Sequence, residues 1–123
     1  MIPTSIKVRK ASRCLELGYG EELYQLSFEL LRVYSPSAEV RGRGIGNEVL
    51  QAGKKDVTLL RIEPAGNYAL KLVFDDGHDS GLYDWPYLHH LCCNQQTLWA
   101  DYLKRLEQAG QRREAATISF KAI

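Results

Sequence analysis

Residues 15–35 can be laid over residues 72–92 without a gap, at an offset of 57 positions. Leu15 then meets Leu72, Leu17 meets Phe74, Gly20 meets Gly77, Ser27 meets Asp84, Phe28 meets Trp85 and Leu31 meets Leu88. Each match has a local physical reason. Alternating apolar residues bury one face of a strand. Glycine takes up the positive φ that a tight hairpin turn demands. Ser or Asp at a helix N-cap accepts a hydrogen bond from a backbone N–H that is otherwise unpaired. Strand, glycine turn, strand, cap, aromatic and helix thus occur twice, and one such unit is too small to bury its own apolar face. The repeat predicts an α+β fold. A duplicated β-hairpin-plus-short-helix unit forms a small, mainly antiparallel sheet, with Phe28, Trp85, Leu31 and Leu88 in a shared core and an amphipathic helix at the C-terminal end.

The remaining segments fit around these two units. Residues 5–9 (SIKVR) and 57–62 (VTLLRI) read as strands preceding each unit. The first hairpin takes 13–17 and 22–26 with a turn over 18–20, and its helix starts at Ser27 and ends at Pro36. Residues 35–55 hold one proline and four glycines and read as a long exposed loop. A turn over 64–67 leads into 68–74 (YALKLVF), where Tyr68, Leu70, Leu72 and Phe74 share a face. Asp76-Gly77 is a strong hairpin-turn dipeptide, with the return strand at 80–83. Asp84 caps a short helix, WPYLHHLC, with Pro86 in its first turn. A second, longer helix spans about 95–109 with Leu98, Tyr102, Leu103 and Leu106 on one stripe, and Gly110 stops it. The domain is expected to occupy 1–110, with a flexible tail over 111–123.

Composition narrows the function classes. A chain of 123 residues is one domain's worth, and its net charge of +1 lacks the basic excess of a nucleic-acid binder. No apolar run approaches the roughly 18 residues of a membrane span, and MIPTSIKVRK has no signal-peptide core. A cytoplasmic protein with no nucleic-acid or membrane partner is expected. Cys14, Cys92 and Cys93 are odd in number and are read as reduced thiols.

Three stretches carry residues capable of chemistry. In DDGHDS (75–80), Asp76 and His78 are spaced to reach one ion from a strand face, while the acids also suit a solvated hairpin tip. His78 is then a hydrogen-bonding residue facing Ser35-Pro36-Ser37. On the third helical segment His89 and Cys93 lie four apart and share a face, so they offer two ligands to a metal. RGRGIGN (41–47) has phosphate-loop glycines, but no Lys-Ser/Thr follows and a helix precedes it. Arg41 and Arg43 in this loop are better read as groups offered to a partner. A Ser35 or Ser37 with His78 lacks an evident acid and oxyanion hole, so hydrolysis is not the expected activity.

LLRVYSPSAEVRGRG (30–44) and FDDGHDSGLYDWPYLHHLC (74–92) resemble the family of small proteins similar to the N-terminal domain of gamma-butyrobetaine dioxygenase, a hydroxylase. The resemblance covers about residues 6–106. It implies a domain that in the dioxygenase holds structural zinc on a Cys-x-Cys-x-x-Cys run and a histidine. Those positions fall on Ser35, Ser37, Val40 and His78, so three of the four ligands are replaced and no zinc cofactor is expected there. The iron-binding catalytic domain has no counterpart in the chain, so oxygenase activity is not inherited. Related domains also stand beside P-loop ATPases that carry iron–sulfur clusters. The resemblance therefore implies a non-catalytic accessory or adaptor domain that binds an unidentified protein through Ser35, Ser37, Arg41 and Arg43, linked to iron–sulfur assembly, carrier machinery or metal metabolism. The alternative is a metal-binding protein using His78 or the His89/Cys93 face.

Overall fold

The computed structural model describes residues 1–41 and 49–115. Strands β1 (Ser5–Arg9), β2 (Cys14–Tyr19) and β3 (Glu22–Ser27) form one antiparallel sheet in that order, and helix α1 (Phe28–Val33) follows directly. A single helical turn, α2 (Ala38–Arg41), precedes a second antiparallel sheet of β4 (Leu59–Ala65), β5 (Ala69–Phe74) and β6 (Leu82–Asp84). Helix α3 (Trp85–Gln108) then runs 24 residues without interruption.

The α+β class and the duplication hold, and each unit is larger than the sequence repeat. Every hairpin has its own third strand, so the strands divide into two sheets, with β1 lying against β4 without pairing to it. The two caps are equivalent in detail: Leu30 N–H donates to Ser27 Oγ at 3.0 Å and Tyr87 N–H to Asp84 Oδ1 at 2.8 Å. The paired glycines Gly20 and Gly77 both have positive φ, at 66° and 86°. Leu15, Leu17, Leu26, Phe28, Leu31, Leu59, Leu72, Phe74, Tyr83, Leu88 and Leu91 make one buried core shared by both units. Trp85 packs at its margin, where its indole N–H donates to the Asn67 carbonyl at 2.7 Å.

The units differ at their hairpin tips. In the first, Tyr19 pairs with Glu22 across a two-residue turn. In the second, pairing stops at Lys71–Leu82, so Asp76-Gly77 is not a tight hairpin and the return strand is only three residues long. Side-chain bonds take the place of the missing ladder: Thr58 N–H donates to Asp75 Oδ1, and His78 and Ser80 turn inward toward Ser35 and Ser37.

Other expectations also shift. The two expected C-terminal helices are one, because Cys93-Asn94 contains no breaker and the good helix formers after it continue the turn. The helix ends in a Schellman motif: Gly110 at φ 66° donates to the Glu107 carbonyl, and Gln111 N–H to that of Leu106. Tyr68 is exposed rather than aligned with Leu70, because β5 begins one residue later and is buried on both faces as the central strand. Within 35–55, the supposed exposed loop, Ser35, Ser37 and Val40 are buried and α2 forms. Residues 111–115 are tied to the body by Gly53 N–H to the Arg112 carbonyl, Lys55 N–H to the Arg113 carbonyl, and a two-pronged Arg113–Glu29 ion pair at 2.8 and 3.0 Å. The rest of the expected tail, 116–123, lies outside the described residues. No described helix is long and apolar enough to cross a membrane.

Candidate functional site

Helix α1 ends at Tyr34, and Pro36 forbids its continuation. The chain then turns inward, so that Ser35 is only 1% exposed. It re-emerges through α2, where the Ser37 carbonyl accepts from both Val40 and Arg41 N–H. Opposite lies the 75–81 loop of the second unit. His78 reaches across to Ser35, Nε2 to Oγ at 2.8 Å, and its Nδ1 stands 3.3 Å from Glu39 Oε2. A carboxylate only accepts, so Nδ1 carries the proton and Nε2 accepts from the Ser35 hydroxyl. Burial first, and then the nearby Arg32 guanidinium, push the His78 pKa below its ordinary value, which keeps the ring neutral.

Around this pair the polar groups are mutually satisfied. Ser37 Oγ and Ser80 Oγ are 2.7 Å apart, and Ser37 N–H donates to Ser35 Oγ. Gly81 is required by close approach: a Cβ there would stand 2.4 Å from Ser35 Oγ and 3.3 Å from Pro36 Cδ. Asp76 closes the outer side. Its Oδ2 accepts from Arg32 Nε at 2.8 Å and Lys54 Nζ at 2.6 Å, and its Oδ1 from His78 N–H at 3.2 Å. Burial alone would raise the Asp76 pKa, but the bonds from Lys54, the His78 amide and Arg32 outweigh it and hold the carboxyl at about 2.

By distance, Ser35, His78 and Glu39 line up as hydroxyl, imidazole and carboxylate. A nucleophile needs a place about 3 Å from its oxygen for the reacting carbon. Ser35 Oγ has none, being enclosed by His78, the Ser37 amide and Gly81. The cluster is therefore a lock that fastens segment 35–41 to the second hairpin. It does not fit zinc either: two hydroxyls are bonded to His78 and Ser80, and Val40 supplies no donor.

The predicted site residues separate into two groups. Ser35, Ser37 and His78 come together, with the two serines buried as anchors rather than facing a partner. Arg41 is exposed on the outer side of α2, its guanidinium 5.1 Å from the centre of the Tyr87 ring, which in turn donates to the Tyr34 carbonyl. Arg43 lies outside the described residues. His89 and Cys93 form a separate pair on α3, with Cys93 Sγ 3.6 Å from His89 Nε2. Sequence reasoning missed Arg32, Glu39, Lys54 and Gly81. Gly81 had a signal, since a glycine with no turn to make marks a close backbone approach.

Fold and site together define a small duplicated α+β module whose polar centre is closed by hydrogen bonds. The chain belongs to the gamma-butyrobetaine hydroxylase-like N-terminal family, whose model matches residues 6–89. It is similar to a protein of solved NMR solution structure at 54% identity, over 99% of this chain and 97% of that one, with a TM-score of 0.83. A second NMR structure shares 48% identity over 99% of this chain and 92% of that one, with a TM-score of 0.78. A crystal structure of a protein of unknown function from Acidithiobacillus ferrooxidans, belonging to the DUF971 family, shares 33% identity over 72% of this chain and 90% of that one, with a TM-score of 0.60. No curated protein matches the chain.

Proposed function

We propose that this protein is a non-catalytic accessory module that binds a partner protein through α2 and the loop following it, with Arg41 and Arg43 as the contacting cations. The observation supporting this reading is the contrast within 35–41. Ser35, Ser37 and Val40 are buried and bonded, while Glu39, with its side chain 72% exposed, and Arg41 point outward. A segment already held in shape binds with little further ordering cost. Its paired charges suit a partner with a mixed polar surface. Iron–sulfur assembly and carrier proteins are the first class of partner to test, in line with the resemblance set out above.

The test is affinity capture from a lysate of the source organism by the wild-type chain and by the double variant Arg41→Glu, Arg43→Glu. The variant is expected to lose the partner that the wild type retains, with its melting temperature unchanged. Retention of that partner by a folded double variant would remove the loop from the binding surface.

A further inference from the structure

We propose that His89 and Cys93 are half of a tetrahedral zinc site, completed by the same two residues of a second copy of this chain. The proposal is independent of the loop surface and uses none of its residues.

The geometry of the pair carries it. Thiolate sulfur and imidazole nitrogen are both zinc donors, with Zn–S about 2.3 Å and Zn–N about 2.0–2.1 Å. Tetrahedral angles then place the two donor atoms about 3.6 Å apart. Cys93 Sγ lies 3.6 Å from His89 Nε2, so the pair already stands at the bite of one ion. Four-residue spacing on a helix keeps the two side chains together.

The surroundings distinguish this thiol from the other two. Cys14 and Cys92 are buried, and burial pushes the Cys92 thiol up to about 12, which disfavours the thiolate that metals bind. Cys93 is exposed. Behind His89 stands Tyr19, its ring edge-on at 5.0 Å between centroids. Tyr19 is only 7% exposed, and its hydroxyl has no hydrogen-bond partner among the described residues. That hydroxyl lies beside the Cys92 and Cys93 thiols. A buried phenol left unpaired costs free energy, and a metal-bound thiolate is the acceptor it lacks.

The site is incomplete within one chain. Among the described residues no three His, Cys, Asp or Glu side chains converge to hold an ion, and a structural zinc takes four ligands. A twofold axis through the ion doubles the pair to two sulfurs and two nitrogens. The helix face permits that approach: α3 carries no Asp, Glu, Lys or Arg from Trp85 to Ala100, and Cys93, Gln96, Thr97 and Ala100 are exposed. Two copies meeting there bring no like charges together.

The experiment titrates the reduced, untagged full chain with Zn²⁺ and follows mass by sedimentation, with Co²⁺ as the spectroscopic probe. The mass is expected to double at half an equivalent of zinc per chain and to return to monomer on adding a chelator. Co²⁺ is expected to give thiolate charge-transfer and tetrahedral d–d absorption. Cys93→Ser and His89→Ala each abolish the dimer, while the neighbouring His90→Ala keeps it. Tyr19→Phe weakens zinc binding about 10-fold with the fold intact, as loss of a second-sphere donor does. A chain that stays monomeric at saturating zinc overturns the proposal. So does zinc uptake undiminished in Cys93→Ser.

Discussion

Gly81→Ala tests whether the serine–histidine lock is built on close approach. Gly81 does not have a positive φ, so adding a methyl group imposes no backbone strain and its cost is steric. The new Cβ would stand 2.4 Å from Ser35 Oγ, well inside the 3.0 Å that Cβ atoms respect, with Tyr83 Cε1 at 3.2 Å on the other side. Tyr83 is fully buried and donates to the Leu31 carbonyl, so it cannot move aside. Ser35 must yield instead, and its hydroxyl then leaves His78. Overpacking of this kind costs about 1–3 kcal/mol. Leaving a buried imidazole nitrogen unsatisfied adds about 1–2 kcal/mol. The expected destabilisation is about 3 kcal/mol, read as a lower urea midpoint at constant slope. The decisive comparison is the double variant. Ser35→Ala alone loses the hydrogen bond and costs about 1–2 kcal/mol. Adding Gly81→Ala to it should cost only about 0.5 kcal/mol, because the atom that clashed is gone and the remaining contacts are merely tight. The two changes are therefore coupled by about 2 kcal/mol. Additive costs would refute the close-approach argument and return Gly81 to an ordinary loop residue.

Two further outcomes follow from the charged groups. Asp76, held at about 2 against an ordinary value of 3.8, stabilises the fold above pH 4, and that contribution is lost as pH falls toward 2. Solvent at this partly exposed carboxylate limits the effect to about 1 kcal/mol. His78 acts at higher pH with the same sign: its lowered pKa means the unfolded chain takes up the proton first, so stability is full above pH 6.5 and declines below it. Urea midpoints measured from pH 8 to 2 should show both declines, and Asp76→Asn should flatten the more acidic one; an unchanged acid limb would contradict the assignment. Arg113→Ala strands the Glu29 carboxylate, whose side chain is 6% exposed, and should cost about 3 kcal/mol. Glu29→Gln added to it should recover part of that loss in thermal melts, whereas no recovery would mean that Arg113 acts through its packing on Trp99.

The features legible in the sequence are those set within a few residues. Ser27 and Asp84 cap their helices because the donors they serve lie three residues ahead. Gly20 and Gly77 take positive φ because turns closed within a few residues demand it. The same locality explains the misreading of Asp76-Gly77 as a tight hairpin. The dipeptide's own preference is for such a turn, but His78 and Ser80 are drawn away by Ser35 and Ser37, 43 residues earlier in the chain, and neither serine marks itself by pattern. Arg113 and Glu29 are 84 residues apart and meet only after both units have packed. Family resemblance supplied the facing of His78 and Ser35, which no periodicity contains. It also explains why a polar lock sits in an otherwise apolar body. A backbone shaped to bring four side chains onto one ion brings whatever stands there into contact. With hydroxyls at two positions and valine at a third, the low-energy arrangement is a closed hydrogen-bond set around a neutral imidazole. Such a set does not need metal to fold, so segment 35–41 is expected to keep its shape in the presence of a chelator. Any metal dependence of this protein must then come from the exposed pair on α3.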